Sequence, residues 1–272
     1  MIQYHNGVLT TRLDKVNSSV LDKFPATKIV ASPTTGLDHI DLKECEKRGI
    51  KVISLRGENK FLKTIPATAE HTMGLMLSLL RKIPWSHHHV IKGGWDRNKW
   101  LGHELNGKTL LIIGYGRLGK IVARYAKAFG MKIITIDKTD ENYSKKRLYS
   151  LLRKSDIVTI HIHLDNNEEF FDKTCFAHMK LGSFLINTSR GGVIDETALL
   201  KALKGRIAGA ALDVVQNEPE ASPQLLGYAS SHTNLLITSH IGGATHESTK
   251  KTEEFIKNKI KKYVNQSKKG NR

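Results

Sequence analysis

Cysteine is nearly absent from this sequence: Cys45 and Cys175 are the only two in 272 residues, far apart and in no C-x-x-C spacing. That excludes a disulfide framework and suits reduced thiols in a cytoplasm. Long apolar runs are also missing. The best, Met73–Leu80, is interrupted by Gly74 and Ser78 and is far shorter than the ~20 residues of a membrane helix. The start, Met1 to His5, has neither a basic flank nor an apolar core, so no signal peptide is expected. Acidic residues are few beside basic ones, 26 against 43, which leaves a formal net charge of +17. The excess is scattered, gathering only at Lys145–Arg147 and from Lys257 to Arg272, and no nucleic-acid motif accompanies it. Nucleic acid is therefore not an expected partner, whereas a positive field that attracts small anions is.

What is present describes a folded α/β chain. Hydrophobic content of 39% and charged content of 25% are those of an ordinary globular protein, and the length suggests two domains. From Gly107 onward, short β-rich runs alternate with helical patterns, the signature of a parallel sheet built from βαβ units. The predicted strands are Thr109–Ile113, Lys132–Ile136, Ile157–Ile162, Ser183–Asn187, Ile207–Leu212 and Asn234–Thr238. A helix over Gly119–Phe129 joins the first two, and six strands in this order suit a doubly wound dinucleotide-binding (Rossmann) domain. Ahead of it, strands at Ile29–Ala31 and Val52–Ser54 flank a helix at Leu42–Arg48 and form a smaller α/β lobe. Glu70–Leu80 reads as an apolar helix. A last helix, Ser248–Val264, returns to the first lobe. The expected domains are 1–64 with 246–272, and 65–245.

Gly114-Tyr115-Gly116-Arg117-Leu118-Gly119 follows a strand and opens a helix. The first glycine permits the tight turn, the second lets backbone approach a pyrophosphate, and the third lets helix and strand pack. Helix N–H groups and dipole then hold the anion. Eighteen residues after Gly119, at the end of the next strand, stands Asp137. An acid there accepts from ribose hydroxyls and repels a 2′-phosphate, which points to NAD rather than NADP.

Ligands of open α/β sheets sit beyond the carboxyl ends of the strands, so ionisable residues there carry the chemistry. Arg190 follows one predicted strand, Asp213 and Glu218 the next, and His240 the last. A 2-keto acid offers a carboxylate and a carbonyl oxygen that becomes negative as hydride arrives. Arg190 can clamp it with a planar fork of donors. His240 can give the proton or take it back, and Glu218 on the other ring nitrogen would orient the imidazole and favour its protonated form.

These segments resemble the D-isomer-specific 2-hydroxyacid dehydrogenase family. The residues that carry the likeness are Gly114–Gly119 with Asp137, NTSRGGVID from Asn187, ALDVVQNEP from Ala211 and HIGG from His240, with TGLDHID from Thr35 and Ala69–Leu80. The resemblance implies an NAD-dependent enzyme with Arg190, Glu218 and His240 as its catalytic residues. It implies that Thr188, Asp213 and Gly243 border the nicotinamide and that His161 lies on the adenosine side. It also implies that the backbone around Thr35 and Gly36 holds the substrate carboxylate, in a flavodoxin-like substrate lobe. Homodimers through the cofactor domain, by way of Glu70–Leu80 and the arm near Trp95, are implied as well.

Three departures stand out. His163 and Ser239 replace prolines usual in the family. The TGLDHID motif begins at Thr35, roughly half the usual distance into the chain, so the first strand and helix of the substrate lobe are expected to be absent. The shortened lobe and positive charge also suit a second reading, an NAD-sensing regulatory protein on the same scaffold. His87, His88 and His89 are not expected to bind metal, because adjacent helical residues point about 100° apart.

Overall fold

A computed structural model describes residues 2–270 of the chain, without the side chains of 268–270. It divides into two compact units, residues 1–65 with 244–272, and residues 66–243.

The smaller unit opens with β1 (Gln3–His5) and β2 (Val8–Thr10), an antiparallel pair turned by Asn6 and Gly7. Both turn residues have positive φ, 48° and 79°, the geometry that an Asn-Gly pair adopts most cheaply. Helix α1 (Ser18–Asp22), β3 (Ile29–Ala31), α2 (Leu42–Lys47), β4 (Lys51–Ile53) and α3 (Asn59–Leu62) follow. The sheet order is β1-β2-β3-β4, with β2, β3 and β4 parallel. The residues ahead of Thr35 thus supply a hairpin and a helix that the sequence reading did not assign.

The larger unit begins with α4 (Ala67–Leu80) and α5 (Ile83–Ile91), two helices where the periodicity gave one. Lys82 between them is left-handed at φ 58°, and Pro84 in the first turn of α5 has no N–H with which to continue α4. Then come β5 (Thr109–Ile113), α6 (Arg117–Ala128), β6 (Lys132–Ile136), α7 (Lys145–Lys154), β7 (Ile157–Ile160), α8 (Lys173–His178), β8 (Ser183–Asn187), α9 (Glu196–Leu203), β9 (Ile207–Leu212), α10 (Pro223–Ser231) and β10 (Leu235–Ile237). The six strands are all parallel in the order β10-β9-β8-β7-β5-β6.

Burial on both faces explains why these strands read as continuous apolar runs. On β5, Leu110 and Ile112 join a core with Leu79, Leu80, Val122 and Ala126 from α4 and α6. Leu111 and Ile113 join the opposite core with Leu148, Phe176 and Leu199 from α7, α8 and α9. The strand order reverses between β5 and β7, which opens a crevice at their carboxyl ends.

The chain then returns to the smaller unit as α11 (His246–Gly270), where Ile256 is buried with Ile29, Ala31, Ile53, Leu55 and Leu62. The end of the basic tail, Asn271 and Arg272, lies outside the described residues. Among the described residues no helix is long and apolar enough to cross a membrane.

Candidate active site

The glycine loop lies at the end of β5, beside the switch point. Gly114 has φ +91°, and a Cβ on it would stand 2.5 Å from the His161 carbonyl oxygen at the end of β7. A Cβ on Gly119 would meet the Gly114 carbonyl oxygen at 2.2 Å and Ile112 at 3.1 Å, so only glycine lets α6 start this close to β5. Gly116, the N-cap of α6, has open space where its Cβ would be and makes no side-chain cap bond. The first turn of a twelve-residue helix therefore presents its N–H groups to that space. Tyr115 and Leu118 pack partly buried on the α4–α6 core, and burial lowers the pKa of the Arg117 guanidinium in the same turn.

Asp137 follows β6. Its Oδ2 accepts from the Tyr115 N–H at 2.8 Å, and its Oδ1 accepts from the Thr139 N–H at 3.0 Å and hydroxyl at 2.9 Å. Burial works against the charge, but these donors outweigh it and hold the carboxyl below its ordinary range. A carboxylate has about four acceptor positions, so Oδ2 keeps capacity for a ribose hydroxyl. His161 follows β7. Its Nε2 lies 3.0 Å from the Thr159 hydroxyl, its Nδ1 is buried without a partner, and burial pushes its pKa down to about 4. Open space at Gly116, an uncapped helix start and an ionised acid at the end of β6 fit a dinucleotide.

The next three strands deliver the other candidates. Thr188 and Arg190 follow β8; the Thr188 hydroxyl lies 2.8 Å from that of Thr72 on α4, and Arg190 Nη1 donates to the Ser189 carbonyl at 2.7 Å. Asp213 follows β9 and is 1% exposed. Glu218 lies further along that loop, whose base is fixed by Glu196: the Gln216 N–H donates to Glu196 Oε1 at 2.6 Å. Burial raises the pKa of Glu196 although Gln216 and Ser222 hydrogen-bond to it. His240 follows β10, with Gly243 at the end of this unit.

His240 Nδ1 stands 2.7 Å from Glu218 Oε1, with side-chain exposures of 22% and 34%. A carboxylate accepts, so Nδ1 carries the proton and Nε2 is left for chemistry. His240 itself is left-handed at φ 55°, which costs a non-glycine residue of order 1 kcal/mol. Thr35 and Gly36 follow β3 in the smaller unit, where the Thr34 hydroxyl donates to the Gly36 carbonyl at 2.8 Å.

Sequence reasoning passed over His71, Thr72 and Glu196. The signal was there for two of them: Thr68, His71 and Thr72 are polar positions at helical spacing on the mainly apolar α4. Among the described residues no group of His, Cys, Asp and Glu could hold a metal ion.

The sequence profile of the D-isomer specific 2-hydroxyacid dehydrogenase family, NAD binding domain, matches residues 73–242. The chain is 37% identical to D-3-phosphoglycerate dehydrogenase of Bacillus subtilis over 251 residues, 89% of this chain and 46% of that one. It is 36% identical to glyoxylate reductase of Thermococcus litoralis over 267 residues, 92% of this chain and 78% of that one. The D-lactate dehydrogenase of Aquifex aeolicus, solved with NAD and lactic acid, superposes with a TM-score of 0.79 at 30% identity, covering 95% of this chain and 83% of that one. The chain thus spans about half the length of the phosphoglycerate dehydrogenase and most of the other two. It belongs to the NAD-dependent D-isomer-specific 2-hydroxyacid dehydrogenase family.

Proposed function

We propose that this chain transfers a hydride between a nicotinamide and C2 of a small 2-keto or D-2-hydroxy acid. The observation that carries the reading is the 2.7 Å contact of His240 Nδ1 with Glu218 Oε1, after two neighbouring strands, with Arg190 after the third. Gly114–Gly119, Asp137, His161, Thr188, Asp213 and Gly243 would hold NAD(H), which when bound would give the hydride to C2 or take it back. Arg190 binds the acid through its fork of donors, and the backbone of Thr35 and Gly36 binds the carboxylate. His240 Nε2–H donates to the carbonyl oxygen as that atom gains charge and recovers the proton in the reverse direction. Glu218 fixes the tautomer and the orientation of the ring. The names of the relatives, glyoxylate reductase among them, support a small acid.

A homodimer through the larger unit is part of the proposal. Ile83, Ile91, Trp95 and Leu101, exposed by 51%, 62%, 89% and 73%, lie close together in sequence and support this segment as the subunit contact. The free, buried thiols of Cys45 and Cys175 suit a cytoplasmic site.

The test is NADH oxidation with glyoxylate, hydroxypyruvate and pyruvate. His240→Ala is expected to lower kcat by about two to four orders of magnitude while NADH still binds. Full activity in that variant overturns the reading.

A further inference from the structure

Three consecutive N–H groups of the His240 loop end on one residue. His240 N–H donates to the Asp213 carbonyl at 2.8 Å. The Ile241 N–H donates to Asp213 Oδ1 at 2.8 Å and the Gly242 N–H to Asp213 Oδ2 at 2.8 Å. The fit is close: a Cβ on Gly242 would lie 2.8 Å from Asp213 Oδ2 and 3.3 Å from Thr68 on α4. This grip holds His240 in its left-handed conformation, which a β-branched or unsupported residue would leave.

The grip depends on a buried anion. Burial opposes the charge of Asp213, but His71, Thr238, Ile241 and Gly242 together keep its pKa below the ordinary range. Oδ1 receives the Thr238 hydroxyl at 2.7 Å and His71 Nε2 at 3.1 Å. Because an ionised carboxylate only accepts, His71 presents Nε2–H, which also reaches the Thr238 oxygen at 3.1 Å. His71 is the one ionisable side chain among these donors. It comes from α4, an element that carries none of the proposed catalytic residues, and its neighbour Thr72 contacts Thr188 beside Arg190.

We propose that His71 is a positioning residue, which holds the His240 loop in its reactive geometry by donating to the Asp213 carboxylate. The proposal rests on the reading of His240 as the acid–base group, since a misplaced imidazole of about 1 Å slows turnover rather than binding. His71 touches neither reacting atom and acts wholly through Asp213.

The experiment compares His71→Gln, whose amide nitrogen reaches the place of Nε2, with His71→Asn, whose shorter amide does not. Both are polar and similar in bulk, so the comparison places no apolar side chain at this largely buried position. Two readouts are taken: amide hydrogen exchange at Ile241 and Gly242, and steady-state kinetics with NADH and glyoxylate, hydroxypyruvate and pyruvate in turn. In His71→Asn, exchange at those two amides is expected to quicken by about tenfold or more while exchange in β5 stays at the parent rate. Its kcat is expected to fall about ten- to a hundredfold, a larger effect than on KM for NADH, and His71→Gln is expected to recover most of both losses. Equal behaviour of the two variants, or exchange that rises uniformly across the unit, overturns the proposal. Absence of turnover in the parent with every acid would sink the dehydrogenase reading instead, and the exchange measurement would still decide the role of His71.

Discussion

At the scale of single residues, Asp137 illustrates how one carboxylate does two jobs. It ties the second residue of the glycine loop to the end of β6, and it keeps an acceptor position open. A 2′-phosphate placed against it meets repulsion of order 1–3 kcal/mol after screening. NADH is therefore expected to bind about tenfold or more tighter than NADPH, and Asp137→Asn is expected to shrink that ratio toward one. Fluorescence titration with both cofactors measures it, and equal affinities in the parent would remove the charge argument. His161 makes a different prediction. Its folded pKa of about 4 lies below its ordinary 6.5, so the unfolded chain takes up the proton first as pH falls. The stability it leaves intact above pH 6.5 is lost progressively toward pH 4, about 2–3 kcal/mol by pH 4.5. Urea unfolding at pH 7 and pH 4.5 should show a smaller loss in His161→Asn than in the parent; identical losses would discount the buried ring.

Among the elements, the junction of β5 with α6 has the least freedom. Gly119→Ala places a methyl carbon 2.2 Å from the Gly114 carbonyl oxygen, so the helix start must shift. A cost of about 1–3 kcal/mol and a large loss of NADH affinity are expected, measured by thermal melting and titration. Elements of this kind are what sequence shows best. Four of the six predicted strands coincide with β5, β6, β8 and β9 to the residue, because short β-rich runs, buried on both faces in all but the edge strand β6, stand out between helical patterns. The hairpin of β1 and β2 was not legible in the same way. Its strands are three residues each, too short for alternation to stand out, although Asn6-Gly7 carries the turn signal. The break at Lys82 was hidden because apolar residues continue across it. In the candidate site, the residues that end strands were legible from motif and position. Glu196 was not, and His71 showed only as a polar position on α4, since what matters about both is what they touch across gaps of 20 and 142 residues in the chain.

For the whole molecule, the two units differ in how much they bury. The larger has two extensive cores around a six-stranded sheet, whereas the smaller spreads modest clusters over strands of three residues. Amide exchange is expected to be slower in Thr109–Ile113 than in Gln3–Thr10, and equal protection of both would show that the smaller unit gains stability from something outside these contacts. Its weak point is α11. Ile256 is 4% exposed, and Phe255 stacks on Phe61 with ring centroids 4.0 Å apart. Ile256→Ala is expected to cost about 2–5 kcal/mol, felt first in the smaller unit and visible as faster exchange in β3 and β4.

That same helix sets an order of events during synthesis. Ile29, Ala31 and Ile53 leave the ribosome before the side chain that covers them, Ile256, which emerges only after the whole of residues 66–243. At about 5–20 residues per second, the apolar face of β3 and β4 waits some tens of seconds for its cover. During that interval a complete six-stranded unit has time to form, while the smaller unit still lacks α11. The larger unit is therefore expected to mature before the smaller one, whose strand face stays uncovered until α11 is made.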